Sequence, residues 1–332
     1  MSYKGYGRVI KGVGGLFTVR MLTEAPKGEA SMSGPLDGKT VMARGRGILR
    51  RNDTLLVGDL VEVGYDESSF ALDTEGKTVP LEDGTGISID RICDRSCALI
   101  RPPMANLDVL FVTLAVTSPQ PVPETVDKLI SIAEFNGIEP VVVVTKSELN
   151  LPYAERIATL YRNASFASFC VGEGMDEELS RLSDYIKETL GGKIAAFAGA
   201  SGVGKSTLLN RLFPQLELKT GEISRRIERG KNTTRSVELY PLSKDADCGF
   251  LADTPGFTML DFERFDFFEK EELPDTFREF RAYVGQCRYT KCSHTKEEGC
   301  AILNAVKEGK IARSRHQSFV SLYEVLKKKT KW

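Results

Sequence analysis

A glycine-rich segment between a predicted strand and a predicted helix carries the clearest chemical signal in the sequence. The run Gly199-Ala200-Ser201-Gly202-Val203-Gly204-Lys205-Ser206 matches the pattern G-x-x-x-x-G-K-[ST]. Glycines in such a loop turn backbone N–H groups towards phosphate oxygens, the lysine adds charge at the β- and γ-phosphates, and the serine hydroxyl can ligate Mg²⁺. Residues 193–198 have a strand pattern and residues 207–212 a helix pattern. We therefore predict that residues 199–206, with Thr207, bind a nucleotide and that Lys205 is a catalytic residue.

A second loop, Asp253-Thr254-Pro255-Gly256, has the form D-x-x-G and follows the apolar run 249–252. Such an aspartate holds Mg²⁺, usually through water, and the glycine N–H can sense the γ-phosphate. Between the two loops, the basic polar segment 225–235 contains two neighbouring threonines, one of which can complete the Mg²⁺ shell. The predicted Mg²⁺ ligands are Ser206, Asp253 and either Thr233 or Thr234, and the predicted catalytic set joins Thr234 and Gly256 to Lys205.

The tetrapeptide Thr145-Lys146-Ser147-Glu148 follows the apolar run 141–144 and resembles the guanine-reading pattern [NT]-K-x-D. In that pattern the lysine stem covers the base, and the carboxylate accepts two N–H groups that guanine has and adenine lacks. Here the carboxylate is Glu148, which is one methylene longer than the usual aspartate. Because α/β proteins bind ligands at the carboxyl ends of parallel strands, we predict that these four residues contact a guanine base. Because Glu148 is longer than the usual aspartate, an ATP-using P-loop enzyme stays open as an alternative interpretation.

The order of these motifs is unusual. In an ordinary GTPase the P-loop comes first and the base-reading motif last, whereas here T-K-x-E precedes the P-loop by about fifty residues. The sequence therefore predicts a circularly permuted nucleotide-binding domain. In such a chain, the segment that follows Asp253 is connected directly to the loop that senses the nucleotide.

A cluster of soft ligands lies near the C-terminus: Cys287, Cys292, His294 and Cys300, spaced as C-x₄-C-x-H-x₅-C. Three thiolates and an imidazole suit one structural, tetrahedral Zn²⁺, with no coordination position left for catalysis. Metal binding can also supply folding energy to a module with few apolar residues. The second of the two histidines, His316, lies in a basic segment, and we expect it at the surface.

Composition and patterning place these motifs in a multidomain α/β chain. Its 332 residues, 41% hydrophobic and 27% charged, suggest about two or three domains. Short β-prone runs before residue 64 indicate a small barrel, and alternating strand and helix patterns from about residue 100 indicate a largely parallel sheet. Beyond about residue 261 a polar, helix-prone stretch follows. We expect buried thiols at Cys93, Cys97, Cys170 and Cys248.

No segment has the pattern of a signal peptide or a membrane span, so a cytoplasmic protein without a membrane partner is expected. The net charge is −1, but residues 1–64 hold ten Lys and Arg against six Asp and Glu, and residues 307–332 hold eight against two. These two ends are the predicted polyanion-binding surfaces. Nothing in the sequence suggests an obligate oligomer, so a monomer is expected.

The motifs together resemble the ribosome small-subunit-dependent GTPase A family (RsgA, also called YjeQ or YloQ). The resemblance rests on T-K-x-E, G-A-S-G-V-G-K-S-T, G-K-N-T-T-R, D-T-P-G-F and the cysteine and histidine spacing, in that order, and on the segment 100–108. It covers essentially the whole chain. It implies an N-terminal OB-fold β-barrel for RNA binding at 1–88, a central circularly permuted P-loop GTPase domain at 89–262, and a small helical zinc-binding domain at 263–332.

The resemblance also implies binding to the 30S ribosomal subunit, a role in its late maturation, and GTP hydrolysis that the subunit stimulates. Mg²⁺ with GTP and one structural Zn²⁺ are the implied cofactors, and 16S rRNA is the implied nucleic acid. Basic side chains could then contact rRNA phosphates: Arg44, Arg46, Arg50, Arg51, Lys307, Lys310, Arg313, Arg315, Lys327, Lys328, Lys329 and Lys331.

Two residues depart from the family pattern: Asn232 stands where the family has histidine in its G-K-H-T-T segment, and Glu148 stands where the family has the aspartate of T-K-x-D. In addition, Phe257 stands where many GTPases carry a water-orienting glutamine, so that catalytic side chain is missing. Asn232, which completes the predicted catalytic set, can hydrogen-bond a water but cannot accept its proton at neutral pH. A slow intrinsic hydrolase that depends on its partner is therefore the main hypothesis. The alternative is a nucleotide-gated rRNA-binding module with negligible turnover that senses the guanine nucleotide pool.

Overall fold

The computed structural model describes residues 2–32, 34–46, 54–72, 78–100, 102–214, 237–243, 249–253 and 269–328. Several residues singled out above lie outside these ranges: Arg50, Arg51, Asn232, Thr233, Thr234, Cys248, Gly256, Phe257, Lys329 and Lys331. Asp253 is described by its backbone only. The predictions made for these side chains stay predictions.

The chain forms two compact units, each assembled from separate stretches of sequence. The first comprises Met1–Asp108, Lys187–Ala196 and Glu222–Pro255. The second comprises Val109–Ile186, Phe197–Gly221 and Gly256–Trp332. The three-domain boundaries given above stay a prediction.

A five-stranded barrel forms most of the first unit. Its strands are β1 (Ser2–Val13), β2 (Leu16–Met21), β3 (Thr40–Gly45), β4 (Leu60–Asp66) and, after the hairpin of β5 (Phe70–Leu72) and β6 (Thr78–Pro80), β7 (Ser88–Ile92). The order β1-β2-β3-β7-β4 closes because β4 pairs with β1. Side chains such as Val9, Val19 and Val61 are fully buried inside it. The predicted N-terminal barrel is therefore confirmed.

Further strands of the first unit lie beside this barrel. They are the short hairpin β8 (Ala98–Ile100) and β9 (Pro103–Ala105), and the later strands β13 (Ile194–Ala198), β14 (Glu238–Pro241) and β15 (Phe250–Asp253). The last two residues of β13 already belong to the second unit. Strand β15 pairs in parallel with β13 and antiparallel with β14. Lys11 of β1 forms an ion pair with Glu238 of β14, with 2.9 Å between Nζ and Oε1.

A parallel sheet and its helices form one part of the second unit. The strands are β10 (Val109–Ala115), β11 (Glu139–Thr145) and β12 (Ala167–Cys170), with β11 in the middle. The helices are α1 (Pro123–Phe135), α2 (Leu151–Asn163), α3 (Asp176–Thr189) and α4 (Lys205–Leu212). Every side chain of β10 is buried, as expected of a parallel strand covered on both faces. The alternation predicted from about residue 100 is confirmed.

The C-terminal part of the second unit is helical. It contains two short 3₁₀ turns, Leu273–Thr276 and Arg278–Phe280, and the helices α5 (Ala301–Lys307) and α6 (Arg313–Lys328). Phe277, Phe280 and Phe319 are completely buried, with ring centroids 5.0 to 5.4 Å apart. The first two rings stack, and the Phe319 ring meets both of them edge to face. This small aromatic core holds α6 to the 3₁₀ turns.

A buried ion network fastens α6 to α1. The Arg315 guanidinium donates to Asp127 of α1 and, through Nε at 2.7 Å, to Glu279; the side chains of all three are at most 7% exposed. Tyr161 of α2 donates its hydroxyl to the same Asp127 oxygen at 2.9 Å. The prediction that Arg315 contacts rRNA phosphate is therefore wrong, because its guanidinium is buried and hydrogen-bonded to two carboxylates of the protein itself.

A second arginine joins the C-terminal part to the start of β11. Arg278 donates to Glu139, the first residue of that strand, at 2.6 Å, and to Glu134 at the end of α1 at 2.8 Å. Its guanidinium also lies over the Phe166 ring, 4.6 Å from the centroid. The C-terminal part and the parallel sheet thus share one packed, charge-paired boundary.

Candidate functional site

The P-loop occupies the place that the sequence pattern predicts. Helix α4 begins at Lys205, directly after Gly204, whose φ of +94° ends the loop in the left-handed region. Gly199 has no room for a side chain, since a Cβ there would lie 2.1 Å from the Thr113 carbonyl oxygen. The loop therefore depends on glycine at both ends, at one for close approach to β10 and at the other for its backbone angle.

Lys205 spans this loop from inside. Its ammonium group donates to the carbonyl oxygens of Gly199 at 2.8 Å and Ala200 at 2.9 Å. Burial lowers the pKa of Lys205 to about 8. The side chain is thus a partly desolvated amine held against the backbone of the P-loop.

The tetrapeptide at the end of β11 is hydrogen-bonded to the P-loop. The Thr145 hydroxyl lies 2.6 Å from the Val203 carbonyl oxygen, and Lys146 Nζ donates to the Gly202 carbonyl at 2.9 Å. Lys146 itself has a φ of +54°, which turns the chain sharply at the end of the strand. Two segments some fifty residues apart in sequence therefore form one continuous surface.

Glu148 is oriented by the loop that follows β12. Its Oε2 accepts a hydrogen bond from the Glu173 N–H at 3.1 Å, and Ser147 donates its N–H to the Val171 carbonyl at 3.2 Å. A Cβ at Gly172 would lie 2.0 Å from the same Glu148 oxygen. The Glu148 carboxylate is thus held by a backbone amide of the neighbouring loop.

A cavity of about 550 Å³ lies where these loops meet. Residues already predicted to bind nucleotide form part of its lining, namely Thr145, Lys146, Glu148, Gly204 and Thr207. Sequence reasoning missed the rest of the wall: Val171, Gly172, Glu173, Gly174, Leu208 and Arg211. The signal that could have found the first four is their position at the carboxyl end of the parallel strand β12, beside β11.

The cysteine and histidine cluster is compact enough to hold a metal ion. All four ligand atoms lie within 4.8 Å of one another. His294 Nδ1 is 3.5 Å from Sγ of both Cys287 and Cys300, and these two sulfurs are 3.8 Å apart. A tetrahedral ion about 2.3 Å from sulfur and about 2.0 Å from nitrogen requires edges of roughly 3.8 and 3.5 Å. The donor set and the three distances among Cys287, His294 and Cys300 therefore fit such an ion, and Cys292 supplies the fourth ligand atom.

Backbone groups and two further side chains support the cluster. Ala301 donates its N–H to Cys287 Sγ at 3.3 Å, while Cys300 caps helix α5. Burial opposes the charge of Glu297, but its carboxylate accepts hydrogen bonds from the Ser293 hydroxyl and from the N–H groups of Ser293 and Thr295. These bonds, that of the Ser293 hydroxyl above all, lower the pKa of Glu297 to about 2. The loop that carries the ligands is thus ordered by a permanent anion.

His316 is part of this support. It is 8% exposed, and its Nε2 lies 2.8 Å from the carbonyl oxygen of His294. The prediction of a surface histidine is therefore wrong, because helix α6 places this face against the ligand loop. The expected burial of Cys93, Cys97 and Cys170 is confirmed.

The remaining basic candidates among the described residues lie at the surface. Arg44 and Arg46 of the barrel are exposed, although Arg46 pairs with Asp90 at 2.9 Å. The exposed set in the C-terminal part consists of Lys307, Lys310, Arg313, Lys327 and Lys328. Among the described residues, no helix combines the length and the apolar composition needed to cross a membrane.

The model of the RsgA GTPase family matches residues 92–263, which is more than half of the chain. This chain belongs to the RsgA GTPase family. A "Small ribosomal subunit biogenesis GTPase RsgA" of Caldanaerobacter subterraneus subsp. tengcongensis is 36% identical over 331 residues, covering 98% of this chain and 97% of the relative. A protein of the same name from Geobacillus thermodenitrificans is 37% identical and covers 88% and 92%.

Solved structures of RsgA-type proteins have the same fold. YjeQ from Thermotoga maritima superposes with a TM-score of 0.73 at 27% identity, over 98% of this chain and 100% of that one. YloQ, described as a circularly permuted GTPase, gives 0.69 at 28% identity over 99% and 98%. The resemblance drawn from the motifs is confirmed, and so are the predicted barrel and permuted GTPase fold.

Proposed function

We propose that this protein is a GTP hydrolase that binds the 30S ribosomal subunit, assists its late maturation and hydrolyses GTP faster when bound to it. The main support is the contact between T-K-x-E and the P-loop. Thr145 and Lys146 hydrogen-bond to Val203 and Gly202, so the segment proposed to bind the base lies directly beside the loop proposed to bind the phosphates. The small-subunit partner is suggested by the names of relatives that match almost the entire chain.

Binding residues can be proposed for each part of the nucleotide. The amides of 199–204 and the Lys205 ammonium position the phosphates, while Thr145, Lys146, Ser147 and Glu148 contact the guanine. Ser206, Asp253 and Thr233 or Thr234 would hold Mg²⁺, which neutralises charge on the phosphates. Asn232 and Thr234 would serve the attacking water, and Gly256 would sense the γ-phosphate.

The remaining features fit the same role. The Cys287, Cys292, His294 and Cys300 cluster would hold one structural Zn²⁺, because thiolate and imidazole ligands at tetrahedral spacing suit that ion. The barrel at 1–88 and the helical segment at 263–332 would contact 16S rRNA through their exposed lysines and arginines. We propose a cytoplasmic monomer, with the GTPase domain at 89–262.

The direct test is GTP hydrolysis by the purified protein alone and with 30S subunits, 50S subunits or 70S ribosomes, with ATP as the control nucleotide. Stimulation by 30S subunits alone supports the proposal. Tight GTP-dependent binding to 30S subunits with no increase in turnover would favour the nucleotide-gated binding module. Equal use of ATP would contradict the assignment of Glu148 to guanine.

The depressed pKa of Lys205 predicts how nucleotide affinity depends on pH. Phosphates bind the protonated amine, and that amine is mostly neutral in the free protein above its pKa of about 8. Binding then requires proton uptake, so the Kd for GDP should be nearly constant below pH 7 and about tenfold higher at pH 9. Titration of a fluorescent GDP analogue between pH 6.5 and 9 measures this. An unchanged Kd across that range would show that Lys205 stays charged throughout.

A further inference from the structure

Arg211 is a lining residue of the cavity that neither the P-loop pattern nor the base-reading pattern includes. It lies six residues after Lys205, near the end of α4, the helix that directly follows the P-loop. Its guanidinium donates to the Gly172 carbonyl at 2.7 Å and to Asp176 at 2.9 Å. Both acceptors belong to the loop between β12 and α3, or to the first turn of α3.

The two contacts of Arg211 differ in their surroundings. Asp176 is 87% exposed, so its ion pair with Arg211 contributes little. Gly172 is buried, and its carbonyl receives a charge-assisted bond. The Gly172 contact is therefore the one that fixes geometry.

The same glycine is held from its other side by Glu148. The Gly172 Cα faces the Glu148 carboxylate so closely that a Cβ would lie 2.0 Å from Oε2, and that oxygen accepts the Glu173 N–H. Residues 171–174 are thus clamped between the helix that follows the P-loop and the carboxylate assigned to the base. A shift of this loop would move the cavity wall and release Glu148 from one of its hydrogen bonds.

We propose that Arg211 is a positioning residue for guanine recognition, which fastens the 171–174 loop to α4 so that the cavity wall and the Glu148 carboxylate are set before the base arrives. This inference rests on the proposed guanine site. Its energetic basis is preorganisation, since a loop that is already ordered does not lose conformational freedom on binding. The effect should fall on the base and not on the phosphates, because Arg211 makes no contact with residues 199–204 among the hydrogen bonds and ion pairs of the described residues.

The test compares Kd values of wild type and Arg211→Ala for GDP, inosine diphosphate, ADP and inorganic pyrophosphate. Inosine lacks the 2-amino group of guanine, so the ratio of the inosine diphosphate and GDP Kd values reports one of the Glu148 hydrogen bonds. In Arg211→Ala we expect about tenfold weaker GDP binding and a smaller ratio, with pyrophosphate binding within about twofold of wild type. Arg211→Lys, which keeps a charged donor for Gly172, should be intermediate in both quantities.

Matched controls separate positioning from general stability. Arg181→Ala removes an exposed arginine of α3 that pairs with Glu178 and does not line the cavity, and it should bind all four ligands as wild type does. The melting temperature of Arg211→Ala should stay within a few degrees of wild type. If this variant unfolds, Arg211→Lys gives the test, because a reduced ratio with unchanged pyrophosphate affinity is still expected.

The results that would overturn the inference are distinguishable from those that would overturn the guanine site itself. Equal losses of GDP and pyrophosphate affinity in Arg211→Ala, or no loss of either, would show that Arg211 does not act on the base. Wild type that binds GDP no more tightly than ADP would contradict the guanine site itself, and the role of Arg211 with it. A ratio of the inosine diphosphate and GDP Kd values that is large in wild type and unchanged in Arg211→Ala would remove the inference alone.

Discussion

Lys205→Ala should lower the kcat/KM for GTP by at least about a thousandfold and raise the Kd for GDP by at least about tenfold. In this structure the ammonium group bridges two carbonyls of the P-loop, and no other cation among the described residues donates to Gly199 or Ala200. Phosphoryl transfer concentrates negative charge on the phosphate oxygens. Loss of the Lys205 ammonium group therefore destabilises the transition state more than it weakens nucleotide binding. Single-turnover hydrolysis with and without 30S subunits measures the effect.

The fold should survive this change. Lys205 makes no ion pair in the described part of the chain, and burial lowers its pKa, which means that the charged amine is a cost to the folded protein. Lys193→Ala, which removes an exposed lysine immediately before β13, is the matched control and should keep wild-type turnover. Retained hydrolysis in Lys205→Ala would remove the P-loop from the proposed mechanism.

Arg315→Met should lower the free energy of unfolding by about 3–5 kcal/mol. The substitution keeps most of the apolar volume beneath Phe277, whose ring centroid lies 4.5 Å from the guanidinium carbon. It leaves two buried carboxylates, Asp127 and Glu279, without their cation. Urea denaturation followed by circular dichroism at pH 7.5 measures the loss.

The pH dependence of this variant identifies the cause. Burial already raises the pKa of Asp127, and removal of Arg315 should raise it further. When the pKa of a carboxyl group is higher in the folded state than in the unfolded state, the free energy of unfolding falls as pH rises from the lower pKa to the higher one. The destabilisation should therefore be smaller at pH 5.5 than at pH 7.5, and adding Asp127→Asn should recover part of it.

Arg313→Met, on the exposed side of α6, is the matched control and should change the free energy of unfolding by less than about 0.5 kcal/mol. A loss of stability in Arg313→Met equal to that in Arg315→Met would contradict the buried-network explanation.

Local patterns in the sequence were sufficient for the elements that carry the nucleotide loops. The apolar run 109–115 and the buried run of β11 each predict a strand, since a parallel strand covered on both faces has no polar alternation. The glycines of 199–204 identify the P-loop because few other residues tolerate its backbone angles. The cysteine spacing likewise predicts a cluster whose ligand atoms the structure brings together.

Contacts between distant segments could not be predicted in this way. The basic pattern of 307–332 does not show which face of α6 meets α1, so Arg315 and His316 were expected in solvent and are found buried. The wall formed by Val171 to Gly174 has no distinctive residue type, and only the pairing of β12 with β11 places it beside Glu148. In each case the deciding partner is remote in the chain.

The distance in sequence between Asp127 and Arg315 has a consequence for synthesis of the chain. The two residues are 188 positions apart. At about 5–20 residues per second, a translating ribosome would need roughly 10–40 s to add that many residues. Throughout that interval the carboxylate on α1 has no arginine to neutralise it, and the face of the helix that α6 later covers is open to water. The buried ion pair between α1 and α6 can therefore form only after α6 has left the exit tunnel.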